Sequence, residues 1–156
     1  MNIRLATESE LPRVNELRAQ VSELHADARP DIFRPGFPPF LADYIYEIHA
    51  DERRHILVAE RAGEIVAFAC LAEIETPEKP HKPARRFIEV DEFGVDERCR
   101  RQGVGRAFFE GIRAFARERG YDRIELNMWE FNENALRFYE SIGFSTYRRY
   151  MELTID

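Results

Sequence analysis

The segment Val95–Arg106, VDERCRRQGVGR, constrains the fold of this chain more than any other. Before it, Arg86–Val95 is an apolar run of strand character. After it, Val104, Phe108, Ile112 and Phe115 recur at helical spacing as far as Arg119, with Gly120 placed to end the helix. Between them, Asp96–Gln102 is a charged turn, and Gly103 and Gly105 sit where the helix begins. Glycine lets a ligand approach the backbone closely. A helix start offers unpaired N–H groups and the positive end of its dipole, which together bind phosphate. Arg98, Arg100, Arg101 and Arg106 crowd the same point, and each charge-assisted hydrogen bond to a phosphate oxygen is worth about 1.5–3 kcal/mol. The plainer reading is a tight turn with a solvated arginine face. A Walker loop is excluded, because no glycine is followed four residues later by Gly-Lys-Ser/Thr. A dinucleotide fingerprint is excluded as well: Phe108 stands where Gly or Ala is required, and no acid ends the next strand. The ligand this turn suits carries a pyrophosphate without being a dinucleotide.

The rest of the chain supplies elements around that unit. Asn2–Ala6 reads as a strand, and Thr7 and Glu10 have the spacing of a capping box. Leu11, Val14, Leu17, Val21 and Leu24 then mark a helix to about Ala28. A proline-broken loop, Arg29–Pro39, leads to a second helix, Pro39–Ala50. His55–Arg61 and Glu64–Glu75 form a hairpin about Ala62-Gly63, and Thr76–Ala84 is too rich in proline for a central strand. Beyond the glycine turn and its helix come a strand, Arg123–Trp129, a short helix, Asn134–Ser141, its stop at Gly143, and one or two final strands in Ser145–Ile155. This order predicts a mixed sheet with helices on both faces, not a regularly alternating parallel one.

Composition narrows the partners. The 156 residues suit one domain, and a chain of this size needs no disulfide or metal to hold a core. With 29 acids, 23 bases and a net charge of −6, it lacks the basic surface of a nucleic-acid binder. Cys70 and Cys99 have neither zinc-site spacing nor a disulfide framework around them. The start, MNIRLATESE, is not signal-like and no apolar stretch nears the length of a membrane span. A soluble, cytoplasmic protein with no metal and no membrane partner is expected.

Two segments together resemble one family. Arg100-Arg101-Gln102-Gly103-Val104-Gly105 is similar to the Arg/Gln-x-x-Gly-x-Gly/Ala signature of the GNAT superfamily of acetyl-CoA-dependent N-acetyltransferases. The run from Asn132 through Ala135, Phe138, Tyr139, Glu140 and Gly143 to Phe144 resembles that family's second signature. The likeness is sharp over Phe87–Phe144 and only architectural before it. It implies an α/β (α+β) fold: a mixed, mostly antiparallel central sheet with helices on both faces. One domain, 1–156, would comprise an acceptor-side half (1–86), an acetyl-CoA-binding core (87–144) and final strands (145–156). It implies acetyl-CoA as cosubstrate, an amine acceptor and a homodimer. It also implies that Phe93, Gly94 and Val95 pair with the pantetheine arm. The diphosphate falls to Arg100, Arg101, Gln102, Gly103, Val104, Gly105 and Arg106, with Asn132, Ala135 and Tyr139 as further contacts.

The chemistry is read from side chains. An alkylamine of pKa near 10.4 is only about one part in a thousand neutral at pH 7, so its deprotonation costs roughly 4–5 kcal/mol and a base is expected. Glu92 falls in phase with Ile88 and Val90 on the apolar side of its strand, where a carboxylate would be tuned toward neutrality. Asp91, pointing the other way, is the second candidate; both are otherwise ordinary strand-end acids. Gly94 signals a bulge or a close ligand approach. Tyr139, at the family's tyrosine position, is the expected proton donor to the departing thiolate, with Phe138 the more natural core residue. Asn132 contacts ligand or caps the short helix, as Asn134 also could. His25, His49, His55 and His81 lie outside the matched segments. Phe33, Phe37, Phe40, Tyr44 and Trp129 line a mouth or fill a core, and the acceptor's identity is not legible. No cysteine stands where the motif would put a nucleophile, which favours direct attack on the thioester. The alternatives are a non-catalytic acyl-CoA sensor of the same fold and a generic nucleotide-binding domain.

Overall fold

Ala62 and Gly63 both adopt positive φ, +54° and +80°, the pair of left-handed conformations that a two-residue type I′ hairpin turn requires. They join β2 (Arg54–Arg61) to β3 (Glu64–Thr76), the long central hairpin. The computed structural model, which describes residues 1–155, builds outward from it. β1 (Asn2–Leu5) pairs antiparallel with β2, and β4 (Arg85–Val95) pairs antiparallel with β3. β5 (Ile124–Leu126) pairs parallel with β4, giving the order β1-β2-β3-β4-β5. The mixed, mostly antiparallel sheet expected from the sequence is present.

Helices cover both faces. α1 (Leu11–Ala28) and α2 (Pro39–Ala50) set Leu11, Val14, Leu17, Ile45 and Ile48 against Ile56, Val58, Phe68 and Cys70. On the other face, α3 (Val104–Glu118) sets Phe108, Phe109 and Ile112 against Leu57, Leu71, Ile88 and Val90, and α4 (Glu133–Ser141) lies beside it. Each large apolar side chain so buried contributes about 1.5–3 kcal/mol. The α1 start follows its sequence signal. The Thr7 N–H donates to Glu10 Oε2 at 2.8 Å, and two hydrogen bonds from Arg4 hold the Glu10 carboxyl down to about 2.

The structure corrects three expectations. β5 is only Ile124–Leu126, not Arg123–Trp129, because its ladder with β4 stops at the pair Val90–Leu126. The final strands are not formed: Ser145–Ile155 makes no ladder with the sheet, and β5 offers it an edge only three residues long. Asp156, the last residue of that expected strand region, lies outside the described residues. The third correction concerns Glu92. Cys70 pairs with Glu92 but Leu71 pairs with Val90, so Asp91 is an extra residue bulged out of β4. The bulge reverses the alternation. Phe93 and Val95 join Ile88 and Val90 on the α3 face, while Glu92 and Gly94 turn to the α1 face.

Candidate active site

Beyond the pair Val90–Leu126 the ladder between β4 and β5 stops. From Asp91 to Val95 the β4 edge facing β5 has no strand partner among the described residues. Phe93 and Val95 stand on the α3 side of that stretch. Phe93 stacks on Phe138 at 5.8 Å and on Phe108 at 5.7 Å. Gly94 is neither a bulge nor, on its side-chain face, a space for ligand. A Cβ there would stand 2.6 Å from Phe68 and 3.1 Å from Val21, so its smallness is what lets α1 and Phe68 pack against β4.

The turn after β4 is anchored by a residue the sequence reading passed over. Asp96 is fully buried, and its N–H donates to Val66 O at 2.9 Å. Its carboxylate accepts from the Arg98 N–H and guanidinium and from Arg13 of α1. The Arg98 hydrogen bonds, foremost, hold that carboxyl well below the usual carboxylate range. Thus fastened, the turn takes left-handed conformations at Arg101 (φ +60°) and Gly103 (φ +78°) before α3 starts at Val104. The Ala107 N–H returns to Gly103 O at 3.1 Å. Those of Val104, Gly105 and Arg106 precede it and are the unpartnered donors of a helix start.

The arginines divide their work. Arg98 is tied to Asp96, Arg100 Nε donates to Val95 O at 3.2 Å, and Arg106 bonds Ser141 Oγ at 3.1 Å, joining α3 to α4. Gln102 bridges Arg61 and the Arg98 carbonyl. Arg101, exposed, makes no side-chain hydrogen bond among the described residues and is the guanidinium open to a ligand. Val104 is buried beneath the turn, and Gly105 faces Phe138 and Val95 across ordinary contact distances.

Asn132 caps α4, its Oδ1 accepting from the Ala135 N–H at 3.1 Å. Tyr139 sits among Phe93, Phe109, Phe138 and Phe144. Burial pushes its phenol up to about 12. Tyr139 and Phe138 therefore share one aromatic cluster, and the expected division into a functional and a core residue is not a division of packing.

Glu92 meets charge, not apolar surface. Arg18 of α1, only 4% exposed, donates to both carboxylate oxygens at 2.8 Å, while the Glu92 side chain keeps 28% exposure. Arg18 also donates to Asn15 Oδ1 and to Leu41 O, and lies over the Phe37 ring. Asp91 beside it accepts from Arg54, which also holds Tyr44. Crowding by the protein pushes the Asp91 carboxyl above its ordinary value against the pull of Arg54. A charged residue at the apolar phase of α1, between Val14 and Val21, was the sequence signal for Arg18.

One histidine joins an aromatic cluster. His25 packs against Phe33 at 5.3 Å and Phe131 at 5.7 Å, Phe33 meets Trp129 at 5.1 Å, and burial pushes the imidazole down. Of these rings, Phe131 lines an open groove of about 310 Å³ between Leu24 and Ala28 of α1 and the start of α4, with Asn132, Asn134 and Arg137. Of the expected mouth aromatics, Phe40 is 70% exposed, and none of the five belongs to a core cluster. His55 instead pairs with Glu73 and packs on Phe115. Among the described residues no group of three or more His, Cys, Asp or Glu is placed to hold a metal, and no helix is long and apolar enough to cross a membrane.

Comparison with known proteins agrees with this geometry. The tetramutant of the BH1408 protein from Bacillus halodurans has a solved structure that matches at a TM-score of 0.94, with 33% identity over 99% of this chain and 100% of that one. An aminoglycoside N-acetyltransferase, AAC(6')-Iy in complex with CoA, shares the fold at a TM-score of 0.76 and 15% identity, over 99% of this chain and 93% of that one. Mycothiol acetyltransferase of Thermobispora bispora is 39% identical over 88 residues, which are 56% of this chain and 29% of that protein. The chain spans less than two thirds of the length of the first curated relatives it matches. The model of the acetyltransferase (GNAT) family matches residues 19–144, from Arg18's neighbour in α1 to the end of the α4 signature. The chain belongs to the GNAT family of acetyltransferases.

Proposed function

We propose that this chain is an N-acetyltransferase that moves the acetyl group of acetyl-CoA to an amine by direct attack on the thioester. One observation carries the reading: the β4 edge Asp91–Val95, unpaired among the described residues, leads through the Asp96-anchored turn to the open start of α3. An extended pantetheine arm suits the backbone of Phe93–Val95, and a diphosphate suits the N–H groups of Val104–Arg106 with Arg101, Arg100 and Gln102 around them. Asn132 and Ala135, already bonded to each other, border the arm with Tyr139. Residues 1–86 supply the acceptor wall.

In the reaction the amine nitrogen bonds the carbonyl carbon, the carbon–sulfur bond breaks, and the pair of electrons leaves on sulfur. Backbone N–H groups of the open edge stabilise the oxyanion. The amine's proton goes to Glu92, whose two carboxylate oxygens each accept one hydrogen bond from Arg18 and keep further acceptor capacity. Tyr139 donates to the sulfur. Full proton transfer from a phenol near 12 to a thiolate of ordinary pKa, near 8.5, is uphill by roughly 5 kcal/mol, so the donation is a hydrogen bond. The test is thiol release from acetyl-CoA with pooled amines that include small peptides. Amine-dependent release supports transfer. Binding of acetyl-CoA without release across the panel supports the sensor instead.

A further inference from the structure

Arg18 is the only basic side chain buried among the described residues, and four of its five N–H donors are in use. Two go to the Glu92 carboxylate of β4, one to Leu41 O in the first turn of α2 at 2.6 Å, and one to Asn15 Oδ1 of α1 at 2.9 Å. The guanidinium also lies over the Phe37 ring, 5.3 Å from its centroid, within cation–π range. Phe37 belongs to the loop of residues 29–38. Phe33, earlier in that loop, is held in its aromatic cluster, and the Pro38 carbonyl accepts from Leu41 and Ala42. Between them, Arg34, Gly36 and Phe37 make no backbone hydrogen bond among the described residues. The Phe37 ring on Arg18 is the electrostatic tie of that stretch. Glu92, for its part, has no side-chain hydrogen bond among the described residues except those from Arg18.

We infer that Arg18 is a positioning residue for the transfer, and that the loop of residues 29–38 acts on the base through it, with Phe37 as the contact. The inference rests on Glu92 being the base. A glutamate turns about several side-chain bonds, and a planar fork on both oxygens selects one arrangement of the carboxylate, which a point charge would not. Placement matters because a shift of about 1 Å in a reacting group can cost about 10²-fold in rate. The fork is itself fixed from two helices. Asn15 and Leu41 O hold its far nitrogen, and Asn15 Nδ2 donates to Ala42 O at 3.0 Å, so α1 and the first turn of α2 clasp one another around Arg18. Phe37 adds the loop to that clasp. A loop that shifts shifts Arg18, and Glu92 turns with it. The first part of the chain thus aims the base.

The experiment is steady-state thiol release from acetyl-CoA with the fastest amine of the panel, with circular dichroism of each variant. Phe37→Leu is expected to lower kcat about three- to thirtyfold, with KM for amine and for acetyl-CoA held within about twofold. Arg18→Met is expected to lower kcat about a hundredfold, and Arg18→Lys to recover part of that. Once Arg18 is replaced by Met, adding Phe37→Leu should cost less than about twofold more. A higher amine KM with unchanged kcat in Phe37→Leu would make the ring a contact of the acceptor and overturn the inference. So would an equal loss from Phe37→Leu with and without Arg18. If Arg18→Met does not fold, Phe37→Leu and Arg18→Lys still decide, and an unchanged kcat in either overturns it. Glu92→Gln separates this inference from the reading beneath it. Full thiol release by Glu92→Gln removes the base, and its positioning with it, as does an intact chain that releases thiol with no amine of the panel. Release lost in Glu92→Gln but kept in Phe37→Leu and Arg18→Lys overturns the positioning alone.

Discussion

Tyr139 and Glu92 each have a partner set that bounds what they do. With its phenol near 12, Tyr139 stays protonated at every working pH and offers a hydrogen bond to developing negative charge, worth about 1.5–3 kcal/mol. Tyr139→Phe keeps the ring in its cluster of four phenylalanines. Turnover is therefore expected to fall about ten- to hundredfold, with amine affinity and melting temperature little changed. Steady-state kinetics beside thermal melts decides it, and full turnover with a lower melting temperature would make Tyr139 a packing residue. For Glu92→Gln, the expected loss of turnover is about 10²-fold at neutral pH, shrinking as pH rises toward the amine's own pKa. Melting should also drop, since Arg18 loses its counter-charge in a buried site. A rate loss that is the same at every pH would assign Glu92 to holding Arg18 alone. Arg18 and His25 show what residue-level reading of a sequence misses. Both sit on the apolar phase of α1, where a polar residue is the signal, but their partners Glu92 and Phe131 come from distant segments.

At the scale of elements, the glycine turn works because β4, the Asp96 anchor and α3 are rigidly joined. The Asp96 carboxyl is held below its ordinary value when folded. The stability it contributes is thus fully present above the unfolded value, near 3.9, and is lost as pH falls through the lower folded value. Wild-type melting should hold from neutral pH to about 5 and fall steeply below about 4. Asp96→Asn is expected to cost about 2–3 kcal/mol at neutral pH and to flatten the acid limb. An unchanged limb would place the acid-sensitive group elsewhere. Gly103, at φ +78°, gives a second check. Gly103→Ala should cost about 1–2 kcal/mol of stability while keeping acetyl-CoA affinity within a few-fold. Gly103→Asp should add at least a tenfold loss of affinity in a calorimetric titration, and equal affinities for the two would remove the diphosphate from this turn. Elements marked by period and punctuation were legible in the sequence: the Ala62-Gly63 hairpin, both long helices of the first half and the glycine turn. The bulge at Asp91 was not. One extra residue in a ladder is fixed by the register against β3, which no local pattern in β4 records, and it moved Glu92 to the opposite face.

For the whole molecule, the order of elements and the family were legible because two spaced motifs and the strand–turn–helix unit all lie in Phe87–Phe144. The tail was read as one or two strands, which Ser145–Ile155 does not form, since pairing depends on an edge that β5 does not extend far enough to provide. The acceptor remained illegible because residues 1–86, the proposed acceptor wall, match no motif by which an acceptor could be read. The reaction proposed at the parted strands is acetyl transfer straight from sulfur to nitrogen. It is tested most directly by incubating the protein with acetyl-CoA labelled in its acetyl group and following the label by mass spectrometry, with and without an amine that supports thiol release. The account predicts label in the amide product in step with free CoA, and none on the protein when amine is absent. Stoichiometric label on the protein before amine is added, on Cys99 for instance, or free CoA without labelled amide, would contradict it.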